Sequence, residues 1–304
     1  MKSEKEPLIS IIMNCFNGES YIEESIKSII AQTYSNWELI FWDNKSTDKS
    51  SEILDKFKDK RLKYFCADQH TTLYKARNLA IQKTQGEFIT FLDTDDWWQS
   101  NKLELQLKLF KNKEINLVYG NVWWIYENSW NKKKKLSKKK LPTGNVLKEI
   151  LTNYKISIAT TMIRKSAFIK SKLNFDDRYK IIGDFDLCIR LAAIWKFDCV
   201  QEPISFYRIH GKNFSYLNKN IELIELNNWY NEMLQHPVLS QQKELNYVLK
   251  RINYKKSLTF ILQNNFFKGF VEFINYPIEY AKLKLLIILV TPKFILKKIL
   301  SFGA

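Results

Sequence analysis

Along the first hundred residues the spacing of apolar side chains switches between the compact runs of buried strands and the wider rhythm of helices. Leu8–Cys15 reads as a buried strand. Ser20-Tyr21-Ile22-Glu23 has the form of a capping box, and Ile22, Ile26, Ile29 and Ile30 then share one helical face. A second strand runs from Trp37 to Trp42 and ends at Asp43, after which Ser46, Thr47 and Asp48 offer N-caps for a helix through Ile53, Leu54 and Phe57. Arg61–Ala67, Leu73–Lys83 and Glu87–Leu92 continue as strand, helix and strand. This alternation predicts an α/β fold, a mostly parallel sheet flanked by helices. Ligands of such sheets bind beyond the carboxyl ends of the strands. Asn14–Gly18, Asp43–Ser46 and Asp93–Asp96 are therefore expected to converge on one crevice.

The last of these segments, Asp93-Thr94-Asp95-Asp96, crowds three carboxylates where a strand meets a loop. Repulsion between unit charges a few ångströms apart costs about 1 to 4 kcal/mol, and a divalent cation turns that cost into affinity for an anion. Hard oxygen ligands suit Mg²⁺ or Mn²⁺, which favour a diphosphate. Taken alone, such a cluster is also compatible with a solvated acidic turn.

Past residue 97 the pattern changes. Leu103–Phe110 is amphipathic, Val118–Tyr126 is an aromatic strand, and a lysine-rich stretch between Asn128 and Pro142 reads as an insertion, either a solvated hairpin or a surface for lipid headgroups or a charged acceptor. Beyond Asn218 the spacing is helical: Ile221–Leu234, Gln241–Leu262, Phe266–Ala281 and Leu283–Phe302, the last interrupted by Pro292. That organisation gives a larger domain over 1–217, divided near residue 97 into two halves, and a helical C-terminal region over 218–304.

A chain of 304 residues, 45% hydrophobic and 14% aromatic, supports one sizeable core plus an appendage. Cys15, Cys66, Cys188 and Cys199 are scattered and Met1–Glu6 is polar, which reads as reduced thiols in a cytoplasmic chain. The longest apolar run, Leu285–Val290, is far shorter than the roughly 18 residues a span requires. Net charge is +16, with seven lysines in Lys132–Lys140 and five in Lys282–Lys298; without those twelve it is +4. Two local patches thus carry the excess. No nucleic-acid motif accompanies them, so an anionic membrane surface is the better expected partner, with peripheral association at its inner face.

Several segments together resemble glycosyltransferase family 2: Ser10-Ile11-Ile12-Met13-Asn14-Cys15-Phe16-Asn17-Gly18, Ala31–Ile40, Asp43–Asp48, Ala76-Arg77-Asn78, Gly86–Ile89 and Leu92–Asp96, in order over about Leu8–Ser215. The resemblance implies a GT-A catalytic domain over 1–217, with a nucleotide-sugar half near 1–97 and an acceptor half near 98–217, a nucleotide-sugar donor, a divalent metal and inversion at the anomeric carbon. It implies that Phe16 and Asn17 lie beside the nucleotide, Asp43 binds base or ribose, Arg77 faces the base or diphosphate, Asp93 holds the ribose or a metal-bound water, and Asp95 ligates the metal. Phe16 is equally compatible with plain core packing. Asp96 reads instead as a helix cap before Trp97. Gly183-Asp184-Phe185-Asp186-Leu187 resembles the segment of the catalytic aspartate, which makes Asp184 the expected base, and Tyr207–Ser215 resembles the closing strand and loop, with His210 a second metal ligand and the basic residues near the diphosphate.

Departures are local. Asn14 replaces a common proline, Lys45 a common glycine, Gly183 a common glutamate, and Thr72-Leu73 stands where a glycine often lies. With no Gln-x-x-Arg-Trp segment and no spanning helix, the expected activity is non-processive transfer to a glycan or lipid-linked acceptor in cell-surface polysaccharide synthesis. A sugar-phosphate nucleotidyltransferase would resemble a glycine-rich phosphate loop after the first strand, where Asn14–Glu19 has one glycine. A silent sugar-nucleotide-binding or scaffold protein is the other alternative.

Overall fold

The computed structural model describes residues 6–127 and 133–262. Its centre is a sheet whose first strands are buried on both faces, as parallel strands between two helical layers must be. Strand β1 (Ile9–Cys15) pairs in parallel with β2 (Trp37–Asp43) and with β4 (Phe88–Phe91), and β3 (Leu62–Cys66) extends the sheet beyond β2. The other half holds β5 (Trp97–Trp98), β6 (Ile115–Tyr126), β7 (Lys133–Lys135), β8 (Met162–Arg164) and β9 (Lys196–Ile209), in the overall order β3-β2-β1-β4-β8-β6-β9-β5 with β7 beside β6. Strands β5, β7 and β8 run antiparallel to their neighbours, while β6 and β9 form a long parallel pair.

Helix α1 (Ile22–Ile30) buries Ile22, Ile26 and Ile29 against Ile9, Ile11 and Met13 of β1 and Leu39 and Phe41 of β2. Each such isoleucine contributes roughly 1.5 to 3 kcal/mol. Helices α2 (Ser50–Asp55), α3 (Leu73–Ile81), α4 (Lys102–Leu109), α5 (Leu147–Thr152), α6 (Lys165–Ser171) and α7 (Gly183–Ala192) follow, and α8 (Phe214–Leu217) is a single turn. The chain divides into two compact units after Asn218. In the second, α9 (Lys219–Met233) and α10 (Leu245–Leu262) bury Leu226, Trp229, Val248 and Ile252. The segments expected as helices over 266–281 and 283–302, with their lysines, and Trp130 with Lys132 lie outside the described residues.

Two local readings are corrected. The capping box does not form: Tyr21 occupies the N-cap without a side-chain bond, because the Gly18 carbonyl accepts both the Tyr21 and Ile22 amides. Asp96 caps no helix. It is followed by β5, α4 begins at Lys102 after Asn101, and the buried Asp96 carboxylate accepts the Arg208 amide of β9 at 2.9 Å. Burial, with Asp95 and Asp93 nearby, pushes that carboxyl well above its ordinary range. The lysine-rich stretch, by contrast, agrees with its hairpin reading, Lys133–Lys135 pairing antiparallel with Trp123–Ile125. No helix among the described residues is long and apolar enough to cross a membrane.

Candidate functional site

The carboxyl ends of β1, β2 and β4 place their three polar loops side by side. Asn17 adopts a left-handed conformation (φ 55°) that turns the chain out of β1, and its Oδ1 accepts the Thr47 amide at 2.8 Å while its own amide donates to Ser46 Oγ at 3.1 Å. The Gly18 amide donates to Ser50 Oγ at 2.9 Å. These bonds zip the β1 loop to the β2 loop, where Lys45 (φ 72°) occupies a position at which glycine costs less. Phe16 is not core: the residue is 51% accessible, and its ring centroid lies 4.1 Å from that of His70. Asp43 is buried, accepting the Ser46 amide at 2.7 Å and the Tyr64 hydroxyl at 2.8 Å. Burial first, then this bond to Asp43, pushes the Tyr64 phenol up.

Arg77 differs most from expectation. Rather than facing a diphosphate it is 1% accessible, and its guanidinium links two carboxylates: Nη2 donates to Asp93 Oδ1 at 2.6 Å and Nη1 to Asp184 Oδ1 at 2.5 Å. Tyr74, Phe91 and Phe175 surround it with ring centroids at 5.6, 6.0 and 5.5 Å. Burial opposes its charge, but Asp184 and Asp93 outweigh that, and its proton is held more tightly than usual. The Asp93 segment and Asp184, on α7, thus share one cation.

Asp184 stands in the first turn of α7, with 27% of its side chain accessible. Burial pushes its carboxyl up to about 6, Arg77 opposing the rise and Asp93 adding to it. Gly183, the departure from the family pattern, has a steric cause here. A Cβ on it would lie 2.6 Å from the Tyr74 ring, whose hydroxyl donates to the Ile181 carbonyl at 2.6 Å. Asp186 makes an ion pair with Arg190, one turn on.

At the end of β9, His210 is buried and its Nε2 lies 3.1 Å from Asp95 Oδ2. The Lys212 amide donates to His210 Nδ1 at 3.2 Å, which turns Nε2 toward the carboxylate, and the Tyr21 ring packs on the imidazole at 4.9 Å. Asn213 Nδ2 reaches Asp95 Oδ2 at 3.4 Å. Arg208, one of the basic residues expected near the diphosphate, is held by Glu24, the Asp95 carbonyl and the Tyr21 and Trp97 rings. Among the described residues no group of three or more His, Cys, Asp or Glu side chains could hold an ion alone. The Asp95–His210 pair nevertheless fits Mg²⁺ or Mn²⁺, because such ions are commonly held by one or two protein ligands plus substrate phosphates.

Tyr64, Tyr74, Tyr21 and Asn213 were not singled out in the sequence. Only Asn213 carried a signal, three residues after His210; the tyrosines are identified by contacts across the sheet.

The family model described as "Glycosyl transferase family 2" matches residues 10–171. The chain is 41% identical over 122 residues to the "UDP-Glc:alpha-D-GlcNAc-diphosphoundecaprenol beta-1,3-glucosyltransferase WfgD" of Escherichia coli, covering 40% of this chain and 48% of that protein. It thus spans about half that relative's length. Among solved structures, S. aureus TarS 1-349 in complex with UDP-GlcNAc superposes with a TM-score of 0.66 at 16% identity over 88% of this chain and 80% of that one. A mannosyltransferase, PcManGT from Pyrobaculum calidifontis, in complex with GDP-Man and Mn2+, has a TM-score of 0.61 at 12% identity over 93% and 79%. At these identities the likeness concerns the fold, which is GT-A.

Proposed function

The chain belongs to glycosyl transferase family 2, and from that premise we propose that it is an inverting, non-processive glycosyltransferase moving a sugar from a nucleotide-sugar donor to a lipid-linked glycan acceptor. The observation that carries this reading is the Arg77 bridge, which joins the Asp93 segment to Asp184, a residue 107 positions beyond Arg77 itself. Phe16 offers an exposed ring for the base, with Asn17 fixing its loop. Asp43, held by Tyr64, would receive base or ribose, and Asp93 would hold the ribose or a metal-bound water. Asp95 and His210 would hold a divalent cation, which supplies charge stabilisation to the leaving diphosphate.

Asp184 removes the proton of the acceptor hydroxyl as that oxygen attacks the anomeric carbon. With its carboxyl near 6, roughly nine tenths is ionised at neutral pH, and it is a stronger base than an ordinary aspartate. Arg77 keeps it ionised and aimed without needing to touch the donor. The acceptor class rests on the name of the Escherichia coli relative, whose acceptor is a diphosphoundecaprenol.

The test is a screen of UDP-, GDP- and dTDP-sugars for Mn²⁺-dependent thermal stabilisation and slow donor hydrolysis. A cognate donor at a hundred times its Kd stabilises by about 2.7 kcal/mol. If no nucleotide sugar shifts the melting temperature with either Mn²⁺ or Mg²⁺, the proposal fails.

A further inference from the structure

The strand pair that leads to His210 carries a distinctive edge. Trp123, Trp124 and Ile125 of β6 pair on one side with Phe206, Tyr207 and Arg208 of β9, and on the other with Lys135, Lys134 and Lys133 of β7. Lysines commonly guard an exposed edge against pairing with another chain, but these are matched to tryptophans. Lys133 and Lys135 lie 5.0 and 5.5 Å from the Trp123 ring, and Lys134 lies 5.8 Å from that of Trp124. Glu202 pairs with Lys135, while Lys133, Lys134 and, farther along the edge, Lys138–Lys140 are exposed.

A second observation lies just past the end of β9. The single turn α8 presents Phe214 and Leu217 to solvent at 54% and 63% accessibility. Both features adjoin the site. The Glu127 amide donates to the Ile209 carbonyl, Tyr21 donates its hydroxyl to Glu127 at 3.0 Å, and the Tyr21 ring packs on His210. Strand β7 is two inter-strand spacings, about 10 Å, from β9.

We propose that this edge docks the catalytic unit on an anionic bilayer, its lysines on lipid phosphates and its half-buried tryptophans at headgroup depth, with Phe214 and Leu217 entering the interface. The mouth beside His210 then rests on the headgroups. Each lysine near an anionic leaflet is worth about 1 kcal/mol, and tryptophan favours that layer. Exposed Leu217 selects lipid over nucleic acid, since a phosphate backbone offers an aliphatic side chain nothing to bury against. The biological use of this surface rests on the proposed lipid-linked acceptor, although vesicle binding itself does not.

The test uses the full chain with phosphatidylcholine vesicles, with and without phosphatidylglycerol, in a sedimentation assay at low salt. We expect binding only with phosphatidylglycerol, a roughly 30-fold loss of partitioning for Lys133→Gln with Lys134→Gln, the product of two losses of about 1 kcal/mol, and a further loss for Phe214→Ser with Leu217→Ser. Melting temperature and vesicle-free donor hydrolysis should stay at wild-type values in all variants. Unchanged partitioning in both variants, equal binding to neutral vesicles, or displacement from vesicles by free diphosphate at micromolar level would overturn the docking. If vesicle binding fails while donor hydrolysis proceeds, docking alone falls. If no nucleotide sugar is turned over while vesicle binding holds, it is the glycosyltransferase reading that falls.

Discussion

Replacing Arg77 by methionine nearly keeps the volume of a side chain that is 1% accessible and removes a cation bonded to both Asp93 and Asp184. With charge centres about 4 Å apart at an effective dielectric of 20, the attraction on Asp184 is roughly 4 kcal/mol, or about three pKa units at 1.36 kcal/mol each. Water reaching the accessible quarter of Asp184 screens part of this, leaving a rise of roughly one to two units from a starting value of about 6. Asp93, no longer shielded, pushes the same way. The base must be ionised to act, so the acidic limb of the pH profile of kcat/KM for donor turnover should move up to roughly pH 7 to 8. Breaking a buried pair costs about 3 to 5 kcal/mol, and this loss should shrink as pH falls, because protonating Asp184 relieves the uncompensated charge. Arg77→Lys, a point charge that cannot span both carboxylates, should fall between. The assay is the pH profile alongside a thermal melt at each pH. A folded Arg77→Met enzyme whose acidic limb stays near 6 would refute the reasoning.

Two further substitutions probe the frame around the site. Gly183→Ala drives a methyl to 2.6 Å from the Tyr74 ring, and should cost about 1 to 3 kcal/mol in chemical denaturation while lowering kcat more than it raises KM for donor. Lys102 is buried with its Nζ donating to Thr90 Oγ1 and Gln106 Oε1 above the Trp98 ring, and burial holds its ammonium well below the ordinary lysine range. The unfolded chain therefore binds the extra proton, so wild-type stability should rise with pH above neutrality toward the unfolded lysine value; in Lys102→Met that rise should flatten, as followed by melting temperature against pH.

What the sequence made legible was whatever local spacing encodes. The runs of β1, β2 and β4, the helical face of Ile22, Ile26 and Ile29, and the polar strand ends were all readable, because a parallel sheet between helices imposes those rhythms. Resemblance singled out Asp95, Asp184 and His210. What was not legible depended on contacts far apart in the chain. Arg77 looked like a ligand-facing helix residue because its second carboxylate is 107 positions away. Asp96 looked like a helix cap because the amide it accepts belongs to Arg208, 112 positions on. The Ser20 capping signal failed because the Gly18 carbonyl already accepts the Tyr21 and Ile22 amides.

The measurement closest to the central claim is single-turnover sugar transfer by Asp184→Asn at saturating donor, paired with donor affinity by calorimetry. The asparagine Oδ1 still accepts from Arg77, so donor binding should persist while transfer falls about 10² to 10⁴-fold; Asp95→Ala should instead lose the Mn²⁺-dependent part of donor affinity. Transfer by Asp184→Asn at the wild-type rate would contradict the account.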